Sequence, residues 1–146
     1  MAISEIKVKN QSTKYSIFIG SNIIKILPKK IAVACPGAKK IALVVDKKIP
    51  KKFKHQLKKS LKKYEIHIFE YTVNEKLKSF LQVNKLAEKC LSLNFNRNDI
   101  LIAFGGGIIG DFCGFTSSII KRGVNFINLP STLLSQVDSS LGGKTA

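Results

Sequence analysis

The stretch Phe104-Gly105-Gly106-Gly107-Ile108-Ile109-Gly110-Asp111 holds the residues of this chain best suited to gripping an anion. Three successive glycines leave only backbone. Where such a run opens a helix, several N–H groups and the positive end of the helix dipole converge on one spot. A phosphate is the natural occupant. Three glycines cost chain entropy and add no packing, so a bare turn would need fewer. Asp111 reads as a dipole partner in the first helical turn or as a ligand contact. Farther on, a second glycine pair, Gly142-Gly143, stands next to Lys144, and Arg122 is placed to cap the end of its own helix.

Two familiar phosphate loops can be tested against these residues. Gly105-x-Gly107-x-x-Gly110 matches the dinucleotide fingerprint letter for letter. The acid expected about 20 residues later, which holds the ribose, is missing, because Asn125 to Thr132 contains no carboxylate. A ribose partner would have to come from elsewhere, for instance Asp46. Gly143-Lys144-Thr145 resembles the end of an NTPase phosphate loop, but the first glycine of that motif would fall on Asp138, and no strand precedes it.

The elements that must position these residues follow from periodicity. Residues 3–9 and 14–19 alternate apolar and polar around Asn10-Gln11-Ser12, which predicts an antiparallel hairpin, half exposed. Ser21 is placed to cap a short helix, Pro28 to start a second, and Pro36-Gly37 to break it. From Ile41 strands and helices alternate. Strands are predicted at 41–46, 65–71, 99–104 and 124–129. Helices are predicted at 50–63, with Phe53, Leu57 and Leu61 inward, at 108–120, and after Pro130. The helix at 75–91 is capped by Asn74 and turns Leu77, Phe80, Leu81, Leu86, Ala87 and Cys90 inward. This pattern predicts an α/β fold, a Rossmann-like and mostly parallel sheet flanked by helices with an N-terminal β-hairpin, in one nucleotide-binding domain. Open parallel sheets bind ligands beyond the carboxyl ends of their strands. Asp46, Glu75, Lys78, the triple glycine, Ser131 and Thr132 should therefore share one rim.

Composition narrows the alternatives. The formal charge is +16, yet only Arg97 and Arg122 among the 25 basic residues are arginine, the fork-shaped donor favoured for phosphate and guanine. The lysines fall on polar helix positions, which argues for solvated faces and against nucleic acid. No apolar run approaches the ~20 residues of a membrane span, and no signal-peptide pattern opens the chain, which gives a cytoplasmic expectation. Cys35, Cys90 and Cys113 lack ligand spacing and read as reduced structural thiols. His55 and His67 build no metal motif.

The run GGGIIGDFCGF followed by KRGVNFINLPSTLLSQVDSSLGGKTA resembles the 3-dehydroquinate synthase family. Asp46 ends a strand, and Asn74-Glu75-x-x-Lys78 stands where that family has a Gly-Glu-x-x-Lys type loop. The resemblance implies NAD as cofactor, with Asp46, Glu75 and Lys78 at the adenosine and ribose. It places Gly105, Gly106, Gly107 and Asp111 at the pyrophosphate and nicotinamide, with Ser131 and Thr132 adding hydroxyls. Asp138 and Lys144 would face the substrate, and Arg122 a phosphate of the neighbouring subunit in a homodimer. The implied substrate is an anionic sugar phosphate, 3-deoxy-arabino-heptulosonate 7-phosphate, cyclised to 3-dehydroquinate with loss of phosphate. The family's zinc or other divalent metal is held by a C-terminal helical domain that residues 1–146 do not contain, so this chain alone is expected to bind NAD weakly and not to cyclise substrate. Related sugar phosphate cyclases, glycerol-dehydrogenase-like NAD domains and a non-catalytic nucleotide-binding fragment are the alternatives.

Overall fold

A computed structural model describes residues 3–9 and 14–140. Strands β1 (Ser4–Lys9) and β2 (Lys14–Ile19) pair antiparallel as a sheet of their own, with Ile6 opposite Ile17. The turn assigned to Asn10-Gln11-Ser12 lies outside the described residues. The hairpin is tied to the body by Lys30, whose ammonium is 3.2 Å from the Glu5 carboxylate and 4.3 Å from the centre of the Phe18 ring.

The rest is an alternating α/β unit. Helix α1 (Leu27–Ala34) starts with Pro28 in its first turn, as expected of a residue whose missing N–H would have had no partner there. Then come β3 (Lys40–Asp46), α2 (Lys51–Ser60), β4 (Glu65–Tyr71), α3 (Phe80–Ser92), β5 (Ile100–Gly105), α4 (Gly107–Ile119) and β6 (Asn125–Pro130). The four later strands form one parallel sheet in the order β4-β3-β5-β6.

Strand alternation splits the core into two layers. Ile41, Leu43, Val45, Ile100, Ile102 and Phe104 point to one face, beneath Leu27, Ile31, Leu57 and Leu61. Ala42, Val44, Leu101 and Ala103 point to the other, beneath Leu86, Cys90, Ile109, Phe112 and Cys113. Both faces of β3 and β5 are buried, so these strands read as continuous apolar runs. The start of the sheet is fixed by Asp99, buried just before β5. Its carboxylate accepts the backbone N–H groups of Lys39, Lys40 and Asn96 at 3.1, 2.9 and 2.7 Å.

Three local expectations need correction. Ser21 caps nothing, because the short turn Ile23–Lys25 begins after Asn22, which sits in the left-handed region at φ 57° with no side-chain cap. The helix predicted over 75–91 is two pieces. The Asn74 side chain accepts the Lys76 N–H and starts a single turn, Glu75–Leu77, and Ser79 returns to extended backbone and caps α3 by accepting the Gln82 N–H. That restart shifts the buried stripe to Val83, Leu86, Ala87 and Cys90, a true i, i+3, i+4, i+7 set. Phe80 and Leu81 fall in the first turn of α3 and are exposed, and on α2 Phe53 is exposed while Leu57 is buried.

Beyond β6 a helical turn begins at Leu133 and widens to a π-type turn, Ser135–Ser139. Leu133, Leu134 and Val137 stand exposed on it. The outer edge of β6 has no partner strand among the described residues. No helix among the described residues is long and apolar enough to cross a membrane.

Candidate functional site

The connections locate the site before any side chain is considered. Helix α2 leaves β3 on one face of the sheet, and α4 leaves β5 on the other. Adjacent strands whose helices depart to opposite faces open a crevice beyond their carboxyl ends. Val45 pairs with Phe104, so Asp46 and Gly105, the next residue on each strand, sit side by side at that crevice. Tyr71 ends β4 beside Asp46, and Pro130 ends β6 beside Gly105. The predicted rim therefore exists.

At the β3 end, Asp46 is half-buried and its Oδ1 accepts the Lys48 N–H at 2.9 Å, which fixes the turn that carries it. Glu75 is exposed in the turn beyond β4. Lys78 closes that turn and reaches across to α4, where its Nζ lies 2.8 Å from Asp111 Oδ2. The hydrogen bond that Lys78 donates to the Asp111 carboxylate raises the Lys78 pKa above the usual lysine value, against the opposing effect of burial. Asp111 is not a first-turn dipole partner, because α4 starts at Gly107 and puts it one turn further in. Its partner is Lys78. Beneath them Tyr71 packs edge-on against Phe112, and burial pushes its hydroxyl pKa up to about 12.

The three glycines have three different explanations. None has a positive φ, so left-handed backbone is not the reason for any of them. A Cβ on Gly105 would lie 2.9 Å from Ile109 Cβ and Cγ1, so this glycine lets α4 fold back against its own strand. A Cβ on Gly107 would lie 3.0 Å from Ser139 Oγ. At Gly106 the nearest atom would be Thr132 Cγ2 at 3.5 Å, an ordinary contact. Gly106 is also the N-cap of α4, and no side chain caps that helix. The first N–H groups of a helix have no partner within it, so this uncapped end keeps its donors directed at the crevice.

On the β6 side, the Ser131 N–H donates to the Gly105 carbonyl at 2.8 Å and holds the end of β6 against the end of β5. Thr132 faces Gly106, but its hydroxyl is engaged with Ser135: Thr132 Oγ1 donates to Ser135 Oγ at 2.8 Å and accepts the Ser135 N–H at 3.2 Å. Asp138 is exposed on the following turn. Asn128, which spacing alone does not single out, lies against Gly110 and donates from Nδ2 to Ser140 Oγ at 3.0 Å. Its only sequence signal is an amide set among Phe126, Ile127 and Leu129 of β6.

One predicted residue is not brought to this rim. Arg122 is exposed at the far end of α4, before β6 begins, with φ 65°. A 13-residue helix separates it from the glycines, roughly 20 Å of rise. Within one chain it cannot touch an anion at Gly107. Lys144 lies outside the described residues.

The family model for the N-terminal part of 3-dehydroquinate synthase matches residues 68–146. The chain belongs to the 3-dehydroquinate synthase family. A 3-dehydroquinate synthase of Pelagibacter ubique is 46% identical over 145 residues, covering 99% of this chain and 39% of that protein. The chain thus spans about two fifths of the length of such synthase relatives. Among solved structures, 2-deoxy-scyllo-inosose synthase complexed with carbaglucose-6-phosphate, NAD+ and Co2+ superposes with a TM-score of 0.84 at 22% identity, over 93% of this chain and 38% of that one. The 2-epi-5-epi-valiolone synthase from Streptomyces hygroscopicus, with NAD+ and Zn2+ bound, gives 0.76 at 20% identity, over 94% of this chain and 38% of that one. These likenesses show that the chain has the fold of the corresponding part of those two synthases.

Proposed function

We propose that residues 1–146 form the N-terminal, cofactor-binding domain of a 3-dehydroquinate synthase, and that NAD lies across the crevice between β3 and β5. The observation that carries this reading is Gly106. Its flanking glycines are explained by packing, whereas Gly106 has neither a positive φ nor a close neighbour and caps an otherwise uncapped helix. A backbone left bare at a helix N-terminus suits a pyrophosphate approaching closely.

In this reading Asp46 accepts from a ribose hydroxyl and Glu75 stands beside the adenosine. Lys78 joins them at the adenosine and ribose, Gly105, Gly106, Gly107 and Asp111 lie around the pyrophosphate and nicotinamide, and Ser131 and Thr132 line the β6 side. NAD supplies a reversible hydride acceptor; the chain's own residues bind, orient and neutralise charge. Asp138 and Lys144 face an anionic sugar phosphate, 3-deoxy-arabino-heptulosonate 7-phosphate, which is converted to 3-dehydroquinate with release of phosphate. The 46% identity to the Pelagibacter synthase favours this substrate over those of the other cyclases, whose structures share the fold at much lower identity. The position of Arg122, far from its own glycine turn, suits a role at the phosphate of a neighbouring copy and hence a homodimer. We place the protein in the cytoplasm.

A divalent metal does not fit these residues. No three His, Cys, Asp or Glu side chains among the described residues come together to hold one. No step is assigned to a metal on this chain.

Titrating the chain with NAD tests the reading. Wild type binds weakly, Lys78→Ala loses at least tenfold in affinity, and Lys144→Ala changes it little. No saturable NAD binding at millimolar concentration, or equal effects of the two variants, overturns it.

A further inference from the structure

We propose that Ser139 is a ligand-contacting residue of this site, its hydroxyl donating to the anionic oxygen held at the N-terminus of α4. The inference rests on the cofactor reading above and adds a residue to it.

Ser139 Oγ is fully buried and has no hydrogen-bond partner among the described residues. A buried hydroxyl in that state costs free energy, and native structures leave few such groups without a bound water, ion or ligand to satisfy them. The neighbouring hydroxyls of the same segment are engaged: Thr132 and Ser135 bind each other, and Ser140 accepts from Asn128. Ser139 is the exception.

Its position explains what it lacks. The oxygen faces the first residue of α4 so closely that a Cβ on Gly107 would lie 3.0 Å from it. That is the helix end without a side-chain cap. An anion sharing the donors of Gly107 and its successors would sit within reach of the Ser139 hydroxyl. The segment is held there from both sides, by the Asn128–Ser140 bond and by the Ser140 N–H donating to the Ser135 carbonyl at 3.1 Å. Gly107 then has a double purpose: it avoids the hydroxyl and leaves that hydroxyl directed at the ligand.

The alternative is that Ser139 only fills space against Gly107. Titrating the chain with ADP and with adenosine separates the two, because only ADP carries the anion. Ser139→Ala should weaken ADP by about tenfold or more, the worth of a hydrogen bond to a charged group, and leave adenosine unchanged. Ser139→Cys, nearly the same shape with a weak donor, should lose ADP affinity similarly and guards against a folding defect in the alanine variant. Both variants should melt, without ligand, within a degree or two of wild type. ADP affinity within twofold of wild type in either folded variant overturns the role of Ser139 while leaving the cofactor site standing. Wild-type chain that binds neither ADP nor adenosine overturns the cofactor reading, and this inference with it.

Discussion

Lys78 and Asp111 hold the turn after β4 against α4 through a 2.8 Å ion pair beside the glycine turn. Two residues assigned to one cofactor on separate elements are thus already bound to each other. The pair ties the turn after β4 to α4, so the nucleotide proposed for this crevice would meet a wall already assembled.

Replacing Lys78 by Met should cost less than about 1 kcal/mol of stability at neutral pH, because the pair is partly exposed and screened. The pH dependence has a definite sign. The folded-state pKa of Lys78 is raised, so its contribution is fully present below the ordinary lysine value near 10.4 and is lost as pH rises through the higher folded value. Urea unfolding of wild type and Lys78→Met should differ between pH 7 and 9 and converge in strong alkali. A gap that widens with pH would contradict the pair.

Alanine at Gly105 and at Gly106 should have opposite signatures. Gly105→Ala drives a methyl to 2.9 Å from Ile109 and should destabilise by about 1–3 kcal/mol, the usual range for overpacking. Gly106→Ala has room and a negative φ, so stability should change by less than about 1 kcal/mol. NAD affinity should nevertheless fall at least tenfold in the Gly106 variant. Chemical unfolding and titration of the same preparations read both quantities.

Asp99→Ala should be the more damaging change although Asp99 lies at the opposite end of the sheet from the site. Three backbone N–H groups would lose their acceptor at a buried position, with a loss of about 3 kcal/mol or more. Asp99→Asn keeps one acceptor oxygen and should recover part of it. Denaturant midpoints of the two variants check the order.

The sheet was readable because its central strands, β3 and β5, are buried on both faces. Glu65–Tyr71 has the predicted bounds, since Tyr64 and Thr72 frame an alternating run. The helix after it was not readable in detail: Asn74 and Ser79 are both good caps, and only the packing of Leu77 and Val83 decides that the chain uses both. At the site, Asp46 and the glycines are visible as an acid and a backbone-only stretch at strand ends. The Lys78–Asp111 pair depends on how α4 meets the turn after β4, which spacing does not encode. Ser139 is hidden for another reason, that its neighbour Gly107 has no side chain to announce the contact.

The open edge of β6, with Leu133, Leu134 and Val137 exposed beside it, also bears on how the molecule behaves in a tube. An unpaired strand edge next to apolar side chains is a template for self-association. A net charge of +16 opposes it, because copies repel one another before the edges meet. Added salt shortens that repulsion to about 8 Å at 0.15 M. The lysine coat, which does no chemistry, thereby sets the colloidal behaviour of the chain, and low ionic strength is the condition under which it stays dispersed.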